Sequence, residues 1–329
     1  MKPPIHPGNR SISRIVSCLF LILICIPAGY SQENKEMWRK GEARETEQGI
    51  SLLGKPLLKP ALNTEALQSL TGKYNIALEN FRSDPGNPEA HIWLGRRLAY
   101  LGDYTKAIRV FSDGIYFFPS DARFYRHRGH RYITIRKLDF ALEDFEKAAK
   151  LIEGKKDKIE PDGAPNAAGI PVSTLHSNIW YHLGLTQYLL EDFERAFRSY
   201  ERCYKESDNN DKKVSSGYWL YLIAKRLGKE KYCVDLLSKM EKDMKLIENF
   251  AYHEMLMFYK SGLTPEKYGL PVDEIMKDPT RAYGLGIWYF LQGEVGQVKA
   301  LEIFNKIIEL PTWASFGYIA AEAEIAHLK

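Results

Sequence analysis

Apolar residues recur three and four positions apart along most of this chain, the period of helices that bury one face. The first such stretch begins at Thr64. Leu67, Leu70, Tyr74, Ala77, Leu78 and Phe81 share a face, and Asp84-Pro85-Gly86-Asn87 ends it. Thr64 is the expected N-cap. From Pro88 the pattern becomes paired helices. PEAHIWLGRRLAYLGDYTKAIRVFSDGIYFFPSD puts Leu94-Gly95 in a first helix, Gly102-Asp103 in a turn and Phe111 in a second helix that Pro119 stops. Gly95 and Ala107 are small where two helix backbones must cross. Leu94, Phe111 and Ile115 are large enough to fill the space up to a neighbouring pair.

The pattern recurs. Residues 122–154 carry Gly129, Ala141, Phe145 and Ala148 at the matching places, with Arg128 where leucine is expected. The Arg128 stem should pack while its head reaches water. Residues 174–207 carry Trp180, Leu183-Gly184, Phe193, Ala196 and Tyr200, with Cys203 at an alanine position. Residues 214–276 read as degenerate helices. A last pair spans 279–311, with Leu285-Gly286, Ala300 and Phe304 and an enlarged turn. The alanine-rich residues 313–329 should form a helix that caps it. No single pair can bury its apolar faces, so the pairs must stack.

This spacing resembles the tetratricopeptide repeat (TPR), a 34-residue antiparallel helix pair. The resemblance covers 64–329 and implies an all-α, TPR-type alpha-solenoid, a right-handed superhelix of antiparallel pairs. The stretches IWLGRRLAYLG, RHRGHRYI, IEPDGAPN, SNIWYHLGL and WASFGYIAAEAE also resemble a set of exported bacterial TPR proteins. That resemblance implies a non-enzymatic interaction protein and carries no activity with it.

The N-terminus adds a targeting signal. Lys2, Arg10 and Arg14 precede an apolar run, Ile15 to Ile26, broken only by Ser17, and Gly29 and Ser31 follow. A signal peptide over 1–31 is expected, cut after Ser31. The run is short for a membrane span of about 20 residues. Export to the periplasm or cell envelope follows, with no stable membrane insertion after cleavage. The alternatives are an uncleaved N-terminal anchor and a lipoprotein at Cys25, though Ile24 is a large residue for that cleavage. Residues 32–63 read as a polar tether or loosely ordered segment. Beyond residue 31 the chain holds 43 basic and 42 acidic residues. Such a balance argues against bulk nucleic-acid binding, which draws its affinity from neutralised phosphates. Cys203 and Cys233 fall at small core positions, and whether they are bridged stays open.

In a TPR superhelix the first helices line a concave face. Helical geometry puts Glu89, Ile92, Arg96 and Tyr100 there from the first repeat. Arg123, Arg126, His130 and Ile133 follow from the second, and Asn178, Tyr181, Leu185 and Tyr188 from the third. Arg96, Tyr100, Arg123, Arg126, His130, Tyr181 and Tyr188 form the expected groove for a protein or peptide partner. Arginine grips carboxylates with paired hydrogen bonds, so an acidic partner is the natural guess. The lysine–asparagine set of TPR carboxylate clamps is not matched. The Pro- and Gly-rich loop 153–173 is long for a compact fold. The alternative reading makes it a lid over the Arg/His cluster of a protein that binds or transforms a small anion. No catalytic motif, cofactor or metal is expected. His127 and His130 lack a third ligand at fixed spacing, as do His91, His176 and His182.

Overall fold

A computed structural model describes residues 46–328 apart from positions 162 and 164. The expected signal peptide lies outside the described residues. The chain runs β1 (Glu47–Ile50), β2 (Pro56–Leu58), α1 (Thr64–Ser83), α2 (Pro88–Tyr100), α3 (Tyr104–Phe117), α4 (Ala122–Thr134) and α5 (Leu138–Ile152). It continues with α6 (Leu175–Leu189), α7 (Phe193–Lys205), α8 (Asn210–Arg226), α9 (Glu230–Ser238) and α10 (Phe250–Ser261). Two short helices, α11 (Pro265–Tyr268) and α12 (Val272–Ile275), precede α13 (Pro279–Phe290), α14 (Glu294–Ile307) and α15 (Phe316–His327).

The helix pairs form for the reasons the spacing gave. In each clear repeat a glycine of the first helix lies against an aromatic ring of the second. A Cβ built on Gly95 would stand 2.4 Å from the Phe111 ring, one on Gly129 2.9 Å from Phe145, one on Gly184 2.6 Å from Tyr200, and one on Gly286 2.4 Å from Phe304. Only the missing side chain lets these rings seat. Asn87, Asp121 and Asn209 cap α2, α4 and α8 with side-chain oxygens. Asn63, one residue before the expected Thr64, caps α1. Arg128 departs from its expected role. Its head turns inward, donating to both oxygens of buried Asp144 at 2.7 and 2.8 Å and to Ser112 at 3.0 Å.

Two segments differ from expectation. The end of the 32–63 stretch is an ordered antiparallel hairpin, β1–β2, not a tether. It is pinned to three places. Lys59 pairs with Asp103 at 2.8 Å, the Gln48 side chain accepts from the Thr105 amide at 3.2 Å, and Trp313 donates to the Leu58 carbonyl at 3.0 Å. Its strands, EQGI and PLL, are only four and three residues long, so they carry no readable period. The second difference is α15. It packs on α13 and α14, as a cap should. It is also buried on every side, with Ile319, Ala320, Ala321, Glu322, Ala323, Glu324 and Ile325 all enclosed. A helix buried all round lies inside a fold, not at its end. Its partners are far away in sequence: Glu322 pairs with Arg136 at 2.8 Å, Glu324 with Arg226, and Phe316 stacks near His130 and His182, both at 5.4 Å. The helices curve far enough for α15 to fill their inner side.

Two inter-helix turns secure that helix. The equivalent turn positions after α2 and α8 are Gly102 and Gly228, both at positive φ. After α4 and α6 they are Arg136, φ 63°, and Glu191, φ 60°. Non-glycine residues pay about 1 kcal/mol for that backbone. Here each side chain reaches α15: Arg136 to Glu322 and Glu191 to His327 at 3.3 Å.

Candidate functional site

The expected groove residues do not share one surface. Ile92, Ile133, Leu185 and Tyr188 are core. Tyr188 was expected to offer open contact surface. Instead it is 3% exposed, and its hydroxyl lies 2.6 Å from that of Tyr283 and 3.0 Å from the Arg226 Nε. Burial raises its pKa above the usual phenol value. The cause is α15, whose Glu324 completes that cluster. Arg123 lies at the rim, tied to Asp121 and Glu89, and its pKa is raised chiefly by the Asp121 hydrogen bond. Arg96, Tyr100, Arg126 and His130 come together with Arg131, which the sequence reading passed over. They line one cavity of about 170 Å³. Tyr181 stands beyond it, its hydroxyl 3.0 Å from that of Tyr252.

Glu160, Pro161, Gly163 and Ser173 of the loop 153–173 line this cavity. The Arg96 guanidinium donates to the Pro161 carbonyl and that of Arg97 to the Gly163 carbonyl, each at 2.7 Å. Glu160 is buried. Its carboxylate lies 3.1 Å from Arg126 Nη2 and accepts from Asn178 Nδ2 at 3.1 Å. The loop ends are held together by the Ile159–Thr174 bridge. Elsewhere Asn166 donates to Glu248 at 3.0 Å and Asn209 to the Val172 carbonyl at 2.9 Å.

Charge in the cavity is one-sided. Arg96, Arg126 and Arg131 line it against the single carboxylate of Glu160, among the described residues. Burial holds the Arg126 pKa below its usual value, with Glu160 opposing the shift. Arg131 is pulled down to about 10, chiefly by burial, and lies over the Tyr104 ring at 5.5 Å. The three histidines nearby are neutral. Burial, then Arg126, holds His127 well below 6.5, burial, then Arg131, does so for His130, and burial, then Arg126, lowers His182 to about 3. Arg126 Nη1 is 2.9 Å from His127 Nδ1. That nitrogen must therefore accept, leaving the His127 proton on Nε2, which faces Glu160 at 3.7 Å. Arg126 Nε is buried with no hydrogen-bond partner among the described residues. A buried donor without a partner costs about 1–3 kcal/mol. The site thus offers a positive surplus to an incoming oxyanion.

Other chemistry finds no support. No group of three His, Cys, Asp or Glu among the described residues could hold a metal. Cys203 and Cys233 are free buried thiols, and burial pushes the Cys203 thiol up to about 12 and that of Cys233 to about 11. No described helix is long and apolar enough to cross a membrane.

Comparison with known proteins agrees with the helical pairs. A tetratricopeptide repeat model matches residues 177–210. Among solved structures, the TPR protein YrrB is 14% identical, covering 71% of this chain and 91% of its own, with a TM-score of 0.41. A tetratricopeptide repeat protein from Parabacteroides merdae is 13% identical over 74% of this chain and 92% of its own, at 0.43. The Cut9–Hcn1 assembly is 12% identical over 74% of this chain and 43% of the matched one, at 0.47. No curated protein matches the sequence. This chain thus carries a tetratricopeptide repeat at 177–210, and the glycine–ring contact of Gly184 with Tyr200 inside it recurs in the helix pairs of Gly95, Gly129 and Gly286.

Proposed function

We propose that this chain is a non-catalytic interaction scaffold that takes a carboxylate of an acidic partner polypeptide into the arginine pocket between α2, α4 and the loop 153–173. The observation that carries the reading is the charge count, three arginines against Glu160 among the described lining residues. The partner does not lie along the whole concave face, because α15 occupies its middle. A cavity of about 170 Å³ is small beside the roughly 300–1,000 Å³ of small-molecule sites. It suits one anionic group of a larger partner.

Arg131→Gln is the cleanest test, because Arg131 makes no hydrogen bond to the described residues of the loop and Glu160 keeps Arg126. Binding of a fluorescein-labelled acidic peptide, followed by anisotropy, should weaken roughly thirtyfold or more, since losing a buried charge partner costs about 2–5 kcal/mol. The urea midpoint should stay in place. Unchanged binding would show that the partner lies elsewhere.

Export belongs to the same proposal and rests on residues 1–31. Sequencing of the mature protein should begin at Gln32, and a chain retaining residue 1 would defeat it.

A further inference from the structure

Arg126 and His130, with Ser173 and Asn178, line a second cavity as well as the first. This second chamber, about 300 Å³, lies toward α10 and α15. Its wall mixes polar side chains, among them Lys212, Glu248, Asn249 and three serines, with a patch of rings. Tyr181, Tyr252 and Phe316 line it with His130 and His182. The rings lean on one another: His130 to His182 at 4.4 Å between centroids, Phe316 to His130 at 5.4 Å and Phe316 to Tyr181 at 6.2 Å. The hydroxyls of its two tyrosines are already engaged. Tyr181 and Tyr252 share a hydrogen bond at 3.0 Å, and Trp219 Nε1 donates to the Tyr181 hydroxyl at 2.7 Å. His130 makes ring contacts but no ring hydrogen bond among the described residues, and it borders both spaces.

The two chambers differ in chemistry. The first is cationic, and the second adds a patch of rings, Tyr181, Tyr252 and Phe316, to a wall where Lys212 and Glu248 carry opposite charges. Aromatic walls hold flat ligand groups by offset or edge contact. We infer that the site recognises an aromatic carboxylate, its carboxylate between Arg96, Arg126 and Arg131 and its ring in the chamber of Tyr181, Tyr252 and Phe316. This rests on the reading that the first pocket takes a carboxylate, and adds what must be attached to it. The buried Arg126 borders both spaces, so the carboxylate and the ring must be only a few bonds apart. Such a group can be the C-terminal aromatic residue of a polypeptide or a free aryl acid.

Calorimetry on the full chain distinguishes these. The probes are Gly-Gly-Phe and Gly-Gly-Ala as free acids, Gly-Gly-Phe as its amide, and 3-phenylpropanoate. Gly-Gly-Phe acid should bind about ten- to a hundredfold more tightly than Gly-Gly-Ala acid, the value of burying one phenyl side chain. The amide should lose about tenfold or more. Comparable affinity for 3-phenylpropanoate assigns the ligand as a free acid, and much weaker affinity assigns it as a chain terminus. Equal binding of the two acids, both above the amide, overturns the ring inference and leaves the carboxylate reading standing. Acid and amide binding alike, or no probe binding, overturns both. Tyr252→Leu, which removes the ring, should bring the two acids within about threefold of each other. A preference that survives this change places the ring outside the second chamber.

Discussion

Replacing Arg136 by glycine tests how the inner side of the fold is held. Arg136 sits in a left-handed turn, φ 63°, so glycine relieves the backbone there by about 1 kcal/mol. The same change removes every contact of the guanidinium. Nη2 donates to Glu322 at 2.8 Å and to the Trp313 carbonyl at 2.7 Å, and Nε approaches Glu322 at 3.3 Å. Both side chains of the pair are 1% exposed. Glu322 would be left as a buried charge whose remaining donor is the Leu52 amide. Breaking one side of a buried pair costs about 3–5 kcal/mol. The net loss should therefore be about 2–4 kcal/mol. Glu191→Gly is the control, because Glu191 shares the turn geometry at φ 60° but its pair with His327 is exposed. An exposed pair is worth about 0–1 kcal/mol, so this variant should be neutral or slightly stabilised. Adding Glu322→Gln to Arg136→Gly should recover more than half of the loss, because the amide carries no charge. Urea unfolding followed by tryptophan fluorescence reads all four proteins. If Arg136→Gly matches Glu191→Gly, α15 is not anchored inside the fold by this pair, and the argument for a filled inner side fails.

Acid should weaken the protein through its buried histidines. In the unfolded chain they bind protons near pH 6.5, whereas folded His182 does so only near 3. The unfolded state then holds more protons between those values, so stability falls as pH drops below about 6.5 and is flat above it. Urea midpoints at pH 7.5 and 5.5 should differ, and His182→Gln should remove about 1.4 kcal/mol of that difference. An unchanged pH slope would mean His182 is protonated in the fold. Gly184→Ala should cost about 1–3 kcal/mol, because the new methyl meets the Tyr200 ring at 2.6 Å, whereas Gly72→Ala on open α1 surface should gain about 0.5–1 kcal/mol; thermal melts showing equal effects would deny the glycine–ring contact. Iodoacetamide should leave Cys203 and Cys233 largely unmodified in the native protein and label both after unfolding, by mass spectrometry. Rapid native labelling of Cys203 would contradict its burial.

The helix pairs were legible because glycine, turn and ring recur at fixed offsets, and each position has a local physical cause. The arginine pocket was half legible. Arg96, Tyr100, Arg126 and His130 share helix faces that periodicity can project. Arg131 lies off that face and becomes a lining residue only where α4 passes Tyr104. Glu160 lies in a loop without period, so nothing local linked it to Arg126. The burial of Tyr188 was invisible for another reason. It depends on α15, more than a hundred residues later, turning back into the curve. Alanine there does suit close packing, but Glu322 and Glu324 look like surface charges until Arg136 and Arg226 are seen to meet them.

The arrangement of charge ties the fold to the function proposed for it. Arg136 and Arg226 on the inner side are each matched by one buried glutamate of α15. Those pairs are closed, and they add nothing that a partner could use. Arg96, Arg126 and Arg131 share Glu160 alone among the described residues, and Glu160 is delivered by a loop, not by a packed helix. A helix can be held by many contacts at once, so its charges stay buried permanently. A loop held at its ends and by the Arg96 and Arg97 bonds to Pro161 and Gly163 can release a carboxylate at much lower cost. The same inward turn that removes the middle of the concave face as a docking surface thereby concentrates unbalanced charge at its one loop-covered end. Binding should depend on that end and be insensitive to charge changes along α13 and α14.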